Sequence, residues 1–500
     1  MTIRLLATGL AIGLLVGAQH AAWAKDTLVV DNVNEPATLD PHKDWNPDSY
    51  TVYRNIFDNI VTRDVAGEIV PQVATSWTYV DDTTVDLELR DDITFHDGEP
   101  LTAEDVVFSV KRITDPDFAS PQLGQFNTII AAEATGPHTV RLTTDGPYPP
   151  LLAQLVKLSV VPKHVVEAVG NDEFTKNPIG SGPYRFDEWQ RGVKVALSRN
   201  PDYWRGEPPF ASVEFRAVPD GATRVADLRS GTADLVVGID PDQASELEGT
   251  AGVQVLSAPT ERVGYFMMNA QDGPLADLAL RQAVAHALDR KLIIDALLGG
   301  YGEVVDQLLT PAHFGYVEGL GGEAYAYDPD KAKQLVAQSG YAGEELVFNT
   351  APPFDQRIVQ ALQQQLAEVG LNVSIEMNDM PTFLQRRRAP PEQFGAFVFG
   401  RWSCACQDAD GVLFPMFQSE SIWSKYANPE VDRLLQAARS TLDEEERIDL
   451  YRQVHEILAE DMPSVPLYQV TAIYGASDDL EWTPTANESL FVMDMAWTGE

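Results

Sequence analysis

The stretch from residue 177 to residue 234, NPIGSGPYRFDEWQRGVKVALSRNPDYWRGEPPFASVEFRAVPDGATRVADLRSGTAD, constrains the fold more than any other part of the chain. Gly180, Gly182 and Pro183 predict a tight turn, because glycine reaches positive φ cheaply and proline holds φ at about −65°. Residues 184–189 and 193–198 then read as short strands. Asn200-Pro201 and Gly206-Glu207-Pro208-Pro209 read as loops. A further β-like run at 213–217 precedes a helix that starts at Arg224 and that Gly231 ends. Turn chemistry this dense leaves room only for short elements, so the stretch is a mixed α/β module.

A chain of 500 residues is too long for one core, so two or three such units are expected. Net charge is −39. A surface this acidic repels nucleic acid and anionic lipid, which excludes both as partners. It says nothing about the charge of a ligand, because charges farther apart than ~8 Å are screened. The N-terminus MTIRLLATGLAIGLLVGAQHAAWAKD has a basic Arg4, an apolar run from Leu5 to Ala18, and the small-x-small triplet Ala22-Trp23-Ala24. That pattern predicts a secretory signal peptide cut after Ala24, with no cysteine there to accept a lipid. The two cysteines, Cys404 and Cys406, are too few for a disulfide framework or a four-ligand zinc site; a local disulfide or inert thiols remain.

Periodicity supports the α/β reading elsewhere. Pro36, Pro41 and Pro47 keep the first segment extended until Ser49, which is expected to cap a helix carrying Val52, Ile56 and Ile60. Val85, Leu87 and Leu89 alternate as a half-buried strand, and Thr102 with Asp105 forms a capping-box pattern. Asp277 caps a helix with Leu280, Val284 and Leu288 on one face. The stripe Ile358, Val359, Leu362, Leu366 stops at Gly370 and gives way to a strand at 371–377. Asn428-Pro429 and Asp443 with Glu446 start the last two helices. All eight histidines are scattered, so His96 is read as structural rather than as a metal ligand.

These elements in this order resemble the extracellular solute-binding proteins of family 5, the peptide and nickel class that feeds ABC importers. The family's G-T-G-P-Y-K-F turn matches Gly180 to Phe186, its R-N-P-x-Y-W loop Arg199 to Trp204, and its L-x-x-G-x-x-D ending Leu228 to Asp234. Its P-x-T-L-D-P and F-H-D-G-x-P-x-T-A-E-D-V elements match Pro36 to Pro41 and Phe95 to Val106. The resemblance implies a two-lobed α/β periplasmic binding protein of type II, the venus-flytrap architecture. Its first lobe would span 25–262 with an extra subdomain at about 66–175, its second lobe 263–467, and 468–500 would return to the first. It also implies a monomer without cofactor or resident metal, working in the periplasm with membrane permease subunits.

By the same resemblance Trp402 is a cleft residue that stacks on ligand. The aspartate that pairs with a peptide's α-amino group falls on Ala405, which argues against ordinary di- or oligopeptides. Asp408 or Asp410, if turned inward, would hold a cationic head group, and Arg401 a carboxylate. Trp45 and Asn46 in the first loop, and Tyr265 and Asn269 near the crossing strand, are the other candidate lining residues. No nucleophile elbow, zinc-protease helix, P-loop or dinucleotide fingerprint is present. The expected function is capture of a polar organic solute, peptide-like, opine or oligosaccharide. An exported hydrolase, a sensory role and a nickel-chelate binder are the alternatives.

Overall fold

The computed structural model describes residues 25–402 and 404–499. The leader expected at 1–24, with its cleavage after Ala24, lies outside the described residues.

One long sheet runs through both halves of the molecule. In spatial order its strands are Val373–Met377, Leu346–Thr350, Phe397–Trp402, Val253–Met268, Ser464–Ser477, Leu235–Val237, Thr27–Asn32, Ser212–Ala217, Lys194–Arg199 and Tyr184–Gln190, with Gly302–Val304 paired off this path to Ser464–Ser477. The two longest, Val253–Met268 and Ser464–Ser477, pair antiparallel along most of their length. Each begins in one lobe and ends in the other, so they are the covalent link between lobes. Their register shifts between Pro259 and Val263, and again between Gly264 and Tyr265. Such bulges bend and twist a strand locally, and these lie midway between the lobes.

Three bodies pack onto this frame. The first-lobe core gathers Leu28, Val30, Tyr53, Phe57, Tyr184, Phe210, Phe215 and, from the C-terminal return, Tyr474 and Val492. A separate four-stranded antiparallel sheet, Ala74–Asp81, Thr84–Leu89, Thr139–Thr144 and Ile129–Gly136, packs its inner face on the helix Ala103–Thr114. The second lobe is built around Phe266, Phe348, Phe397, Leu362 and Leu366 on one side of the sheet, and Leu413, Leu435, Tyr451 and Val454 on the other. No helix of the described residues is long and apolar enough to cross a membrane.

Most local expectations hold. Val85, Leu87 and Leu89 face the core. The Asp105 carboxylate accepts from the backbone N–H and the hydroxyl of Thr102, both at 3.0 Å. Asp277, Asn428 and Asp443 cap their helices, and Gly370 follows the helix Gln356–Glu368 at φ +96°. The first helix differs. It is Pro47–Tyr53, capped by Asn46 with Pro47 in its first turn, so Ser49 lies inside it and Ile56 and Ile60 follow as buried loop residues.

Gly180 and Gly182 are needed for a reason other than the expected one: neither has positive φ. A Cβ on Gly180 would lie 2.0 Å from the Ile56 carbonyl oxygen, and one on Gly182 2.6 Å from the Ile56 carbonyl carbon. The loop presses on the 55–57 backbone, with the Gly182 N–H donating to the Ile56 carbonyl at 2.8 Å. His96 clamps its other side: its Nε2 donates to the Gly182 carbonyl at 3.0 Å, and its Nδ1 accepts from the Gly180 N–H at 3.3 Å. Behind the loop, buried Asp58 accepts from Gln72, Ser181 and Tyr203, each at 2.9 Å, and from Trp204 at 3.3 Å. The motif is therefore a seam joining subdomain to first lobe. Gly180→Ala is expected to cost about 3 kcal/mol, since a methyl forced against main chain cannot be relieved by a rotamer change. Gly146→Ala, where a Cβ meets nothing within 4 Å, is the control. Equal urea midpoints for the two variants would refute the seam.

Candidate ligand cleft

Where the lobes face each other, three lengths of chain converge. The first lobe and its subdomain contribute Trp45, Arg63, Tyr148 and Lys157; the second contributes the loop 404–410; the floor is the bulged part of Val253–Met268 with the return segment 485–489. The loop is shaped by a disulfide between Cys404 and Cys406, so the open choice between thiols and a local bridge resolves to the bridge. Ala405 and Gln407 sit at φ +55° and +52°. A Cβ on Gly411 would come within 2.5 Å of the Cys404 Cβ and the Cys406 sulfur, so glycine is what lets the following helix pass under the bridge.

The lobes touch through this loop. Lys157 Nζ donates to the Cys404 carbonyl at 3.1 Å and also to Gln125. Arg63 Nη2 donates to the Cys406 carbonyl, while its Nη1 reaches the Gly67 carbonyl at 2.5 Å. The Tyr148 hydroxyl donates to Asp410 at 3.3 Å. Burial pushes Lys157 down to about 7, with the nearby charge of Glu261 acting the other way. Burial also lowers Arg63, against Glu261, Asp408 and Glu68. Glu261 itself is buried on the floor, its N–H donating to the Ala486 carbonyl at 3.0 Å.

Two cavities open here. A small one of about 10 Å³ lies between Trp45, Arg63, Lys157, Ala405 and Asn487. A wide one of about 1010 Å³ lies between the subdomain and the second lobe and shares Arg63 and Asn487 with the first. Trp77 and Tyr79 line one side of it, and His313, Phe314 and Arg447 line another. Its volume is that of a small-molecule site.

The expected lining residues have different fates. Trp45 borders the small cavity, its ring 5.7 Å from that of Tyr50 and its Nε1 buried without a hydrogen-bond partner. Arg401 lies at the end of the strand Phe397–Trp402 and forms no ion pair among the described residues. Although it is exposed to solvent and lines neither cavity, desolvation, then the like charge of Arg262, lowers its guanidinium. Trp402 is half-buried, donating its Nε1 to the Gly411 carbonyl at 3.2 Å and meeting Trp423 edge-on at 5.4 Å. Asp408 borders the wide cavity, but its carboxylate is buried and taken by Arg447 at 2.6 and 2.9 Å. It has no oxygen turned to a cationic ligand, contrary to the expectation.

The remaining three are structural. Asn46 caps a helix by accepting from the Ser49 N–H at 2.9 Å. Asn269 donates to the Pro391 and Gly395 carbonyls at 2.7 and 3.1 Å, holding the end of its strand. Tyr265 is core, its ring filling the space left by Gly400, where a Cβ would meet the hydroxyl at 2.6 Å. Lys157 and Arg63 were missed. The available signal was a lone lysine inside the apolar run Leu151 to Pro162, since buried lysine is rare without a role. Among the described residues no group of three or more His, Cys, Asp or Glu is placed to hold a metal ion.

Comparison with known proteins agrees with this geometry. The chain is 28% identical over 483 residues to the glutathione-binding protein GsiB of Shigella boydii, covering 93% of this chain and 92% of that one. The ABC transporter substrate-binding protein CtaP of Listeria monocytogenes superposes with a TM-score of 0.87 at 27% identity, over 95% of this chain and all of that one. The periplasmic binding protein DppA of Helicobacter pylori, solved with the peptide STSA, gives 0.83 at 26% identity, over 94% and 98%. The model of bacterial extracellular solute-binding proteins, family 5, matches residues 68–424. With two lobes joined by paired strands around a solute-sized cleft, and a family match across most of its length, this chain belongs to the family 5 extracellular solute-binding proteins.

Proposed function

We propose that the protein is the solute-capturing component of an ABC importer, exported through a signal peptide cut after Ala24 and acting in the periplasm as a monomer. It closes its lobes on a polar organic solute and hands that solute, unaltered, to permease subunits in the membrane. The observation that carries this reading is the wide inter-lobe cavity beside the register shifts of the connecting strands. A ligand that touches both walls only when they meet shifts the population toward closure by its differential affinity. The lobe boundaries near 262 and 467 are proposed as the hinge, because both fall beside those shifts.

A peptide-like solute is favoured over an oligosaccharide or opine, since the relatives named above include binders of glutathione and of a peptide. Trp45 and Arg401 are the proposed contacts from the first and second lobes. A nickel chelate or hydrolysis is the lesser reading.

Small-angle scattering with S-methylglutathione, opines and oligosaccharides is expected to show a smaller radius of gyration with at least one of them. At a hundredfold excess over the dissociation constant the ligand adds ~2.7 kcal/mol to stability, visible as a raised melting temperature. Mass spectrometry is expected to recover the solute unchanged. A solute that emerges cleaved, or a radius of gyration indifferent to every solute tested, would sink the reading.

A further inference from the structure

The small cavity at the lobe junction is lined by donors that lack an anionic acceptor. Trp45 Nε1 and Arg63 Nε are buried with no hydrogen-bond partner, and both residues border it. Among the described residues Lys157 uses two donor bonds of the three its ammonium offers, both to neutral oxygens. Arg63 likewise donates only to neutral carbonyls. Neither cation forms an ion pair among the described residues, although the chain carries 75 acidic residues against 36 basic ones. Across the cavity stands Ala405, with no polar side chain to offer. The Asn487 amide oxygen is already taken by the Thr485 hydroxyl at 2.7 Å and the Ser489 N–H at 3.1 Å. Glu261 acts on both cations from the floor, and Glu68 and Asp408 act on Arg63. Asp408, however, is committed to Arg447.

Building on the reading of the cleft as a solute site, we propose that this cavity receives one oxygen of a ligand carboxylate, so that the protein selects acidic solutes. A carboxylate accepts at both oxygens and donates at neither. Trp45 Nε1, Arg63 Nε and the third Lys157 proton are not used by the bonds to the Cys404 and Cys406 carbonyls, so these donors remain for the ligand with the lobes together. A ligand carboxylate there adds to the lobe contacts, and charge-assisted hydrogen bonds are roughly twice as strong as neutral ones. The cavity itself is too small for more than a water-sized group. The rest of the solute therefore extends past Arg63 and Asn487, which border both cavities, into the wide one. Arg401, unpaired on the second lobe, is available to a second acidic group.

The test is calorimetry with matched probes: di- and tripeptides, N-carboxyalkyl amino acids and sugar acids, each as free carboxylate and as amide. S-methylglutathione and its diamide form one such pair and spare the disulfide from thiol. At least one carboxylate is expected to bind ten or more times tighter than its amide. Lys157→Met and Arg63→Gln should each cut the ratio of carboxylate to amide affinity tenfold or more, whatever they do to lobe closure. Ala405→Asp should abolish carboxylate binding with the melting temperature kept, since aspartate tolerates positive φ better than most residues. Amides that bind as tightly as acids, or a carboxylate-to-amide ratio untouched in the Lys157 and Arg63 variants, would overturn the proposal while leaving solute capture intact. If no probe binds in either form, solute capture falls as well.

Discussion

Between pH 6 and 4.5 the protein is expected to lose stability, by at most about 5 kcal/mol per pH unit. The cause is a set of histidines held neutral. His42, His96, His313 and His455 are each pushed down to about 4, in every case by burial first. In three of them Nδ1, the nitrogen that would take the proton, is already an acceptor. His42 accepts from Arg112 at 3.0 Å, His96 from the Gly180 N–H, and His313 from the Thr310 N–H at 3.2 Å. Their folded values lie below the unfolded value of about 6.5. On acidification the unfolded chain therefore binds protons that the folded one refuses, and stability present above pH 6.5 is lost as pH falls toward 4. The three fully buried histidines contribute about 1.4 kcal/mol per pH unit each, and half-buried His96 somewhat less. Asp31, Asp58 and Asp410, raised by burial, work in the opposite sense and soften the slope where they titrate. Urea titrations at pH 7, 6 and 5 read the effect. Replacing His455, whose Nε2 is buried without a partner, by leucine should remove one proton from the slope. Stability that does not change from pH 7 to pH 5 would refute the account.

Arg447→Met is expected to destabilise the protein by about 3–5 kcal/mol, the cost of leaving a buried carboxylate without its cation. Both oxygens of Asp408 accept from the Arg447 guanidinium, and one also accepts from the Asp410 N–H at 2.9 Å. Arg447 is pinned further by the Ala438 carbonyl at 2.9 Å, the Tyr451 hydroxyl at 3.1 Å and the face of Phe314 at 4.5 Å. The side chains are only 4% and 5% exposed, so solvent does not screen the pair. Asp408→Leu should cost a similar amount. The double variant should recover part of the loss, because two apolar groups need no partner. A double-mutant cycle with urea unfolding measures this. Single variants within 1 kcal/mol of the parent would contradict it. The same series separates a brace from a ligand contact: solute affinity of folded Asp408→Leu should be near that of the parent.

Much of the local structure was readable before any coordinates. Thr102, Asp277, Asn428 and Asp443 act within a few residues of themselves, as do Gly231 and Gly370, so their roles follow from neighbours in sequence. Gly180 and Gly182 show the limit. Their place in the chain predicts a turn through positive φ, but φ there is ordinary, and the atoms that exclude a Cβ belong to Ile56, over a hundred positions away. Asn46 and Asn269 fail for a related reason. An asparagine that caps a helix and one that faces a ligand are the same letters, and only the position of the nearest N–H or carbonyl separates them.

The family, the α/β alternation and the helix caps and turns are legible in the amino-acid order, since each depends on short-range chemistry or on an ordered series of motifs. Tertiary structure alone decided which charges are spent and which are available. Asp408 meets Arg447 across 39 positions, Arg63 meets the Cys406 carbonyl across 343, and Lys157 meets the Cys404 carbonyl across 247. Electrostatic pairing depends on distance in space and on exclusion of water, and neither quantity is written in the order of residues along a chain.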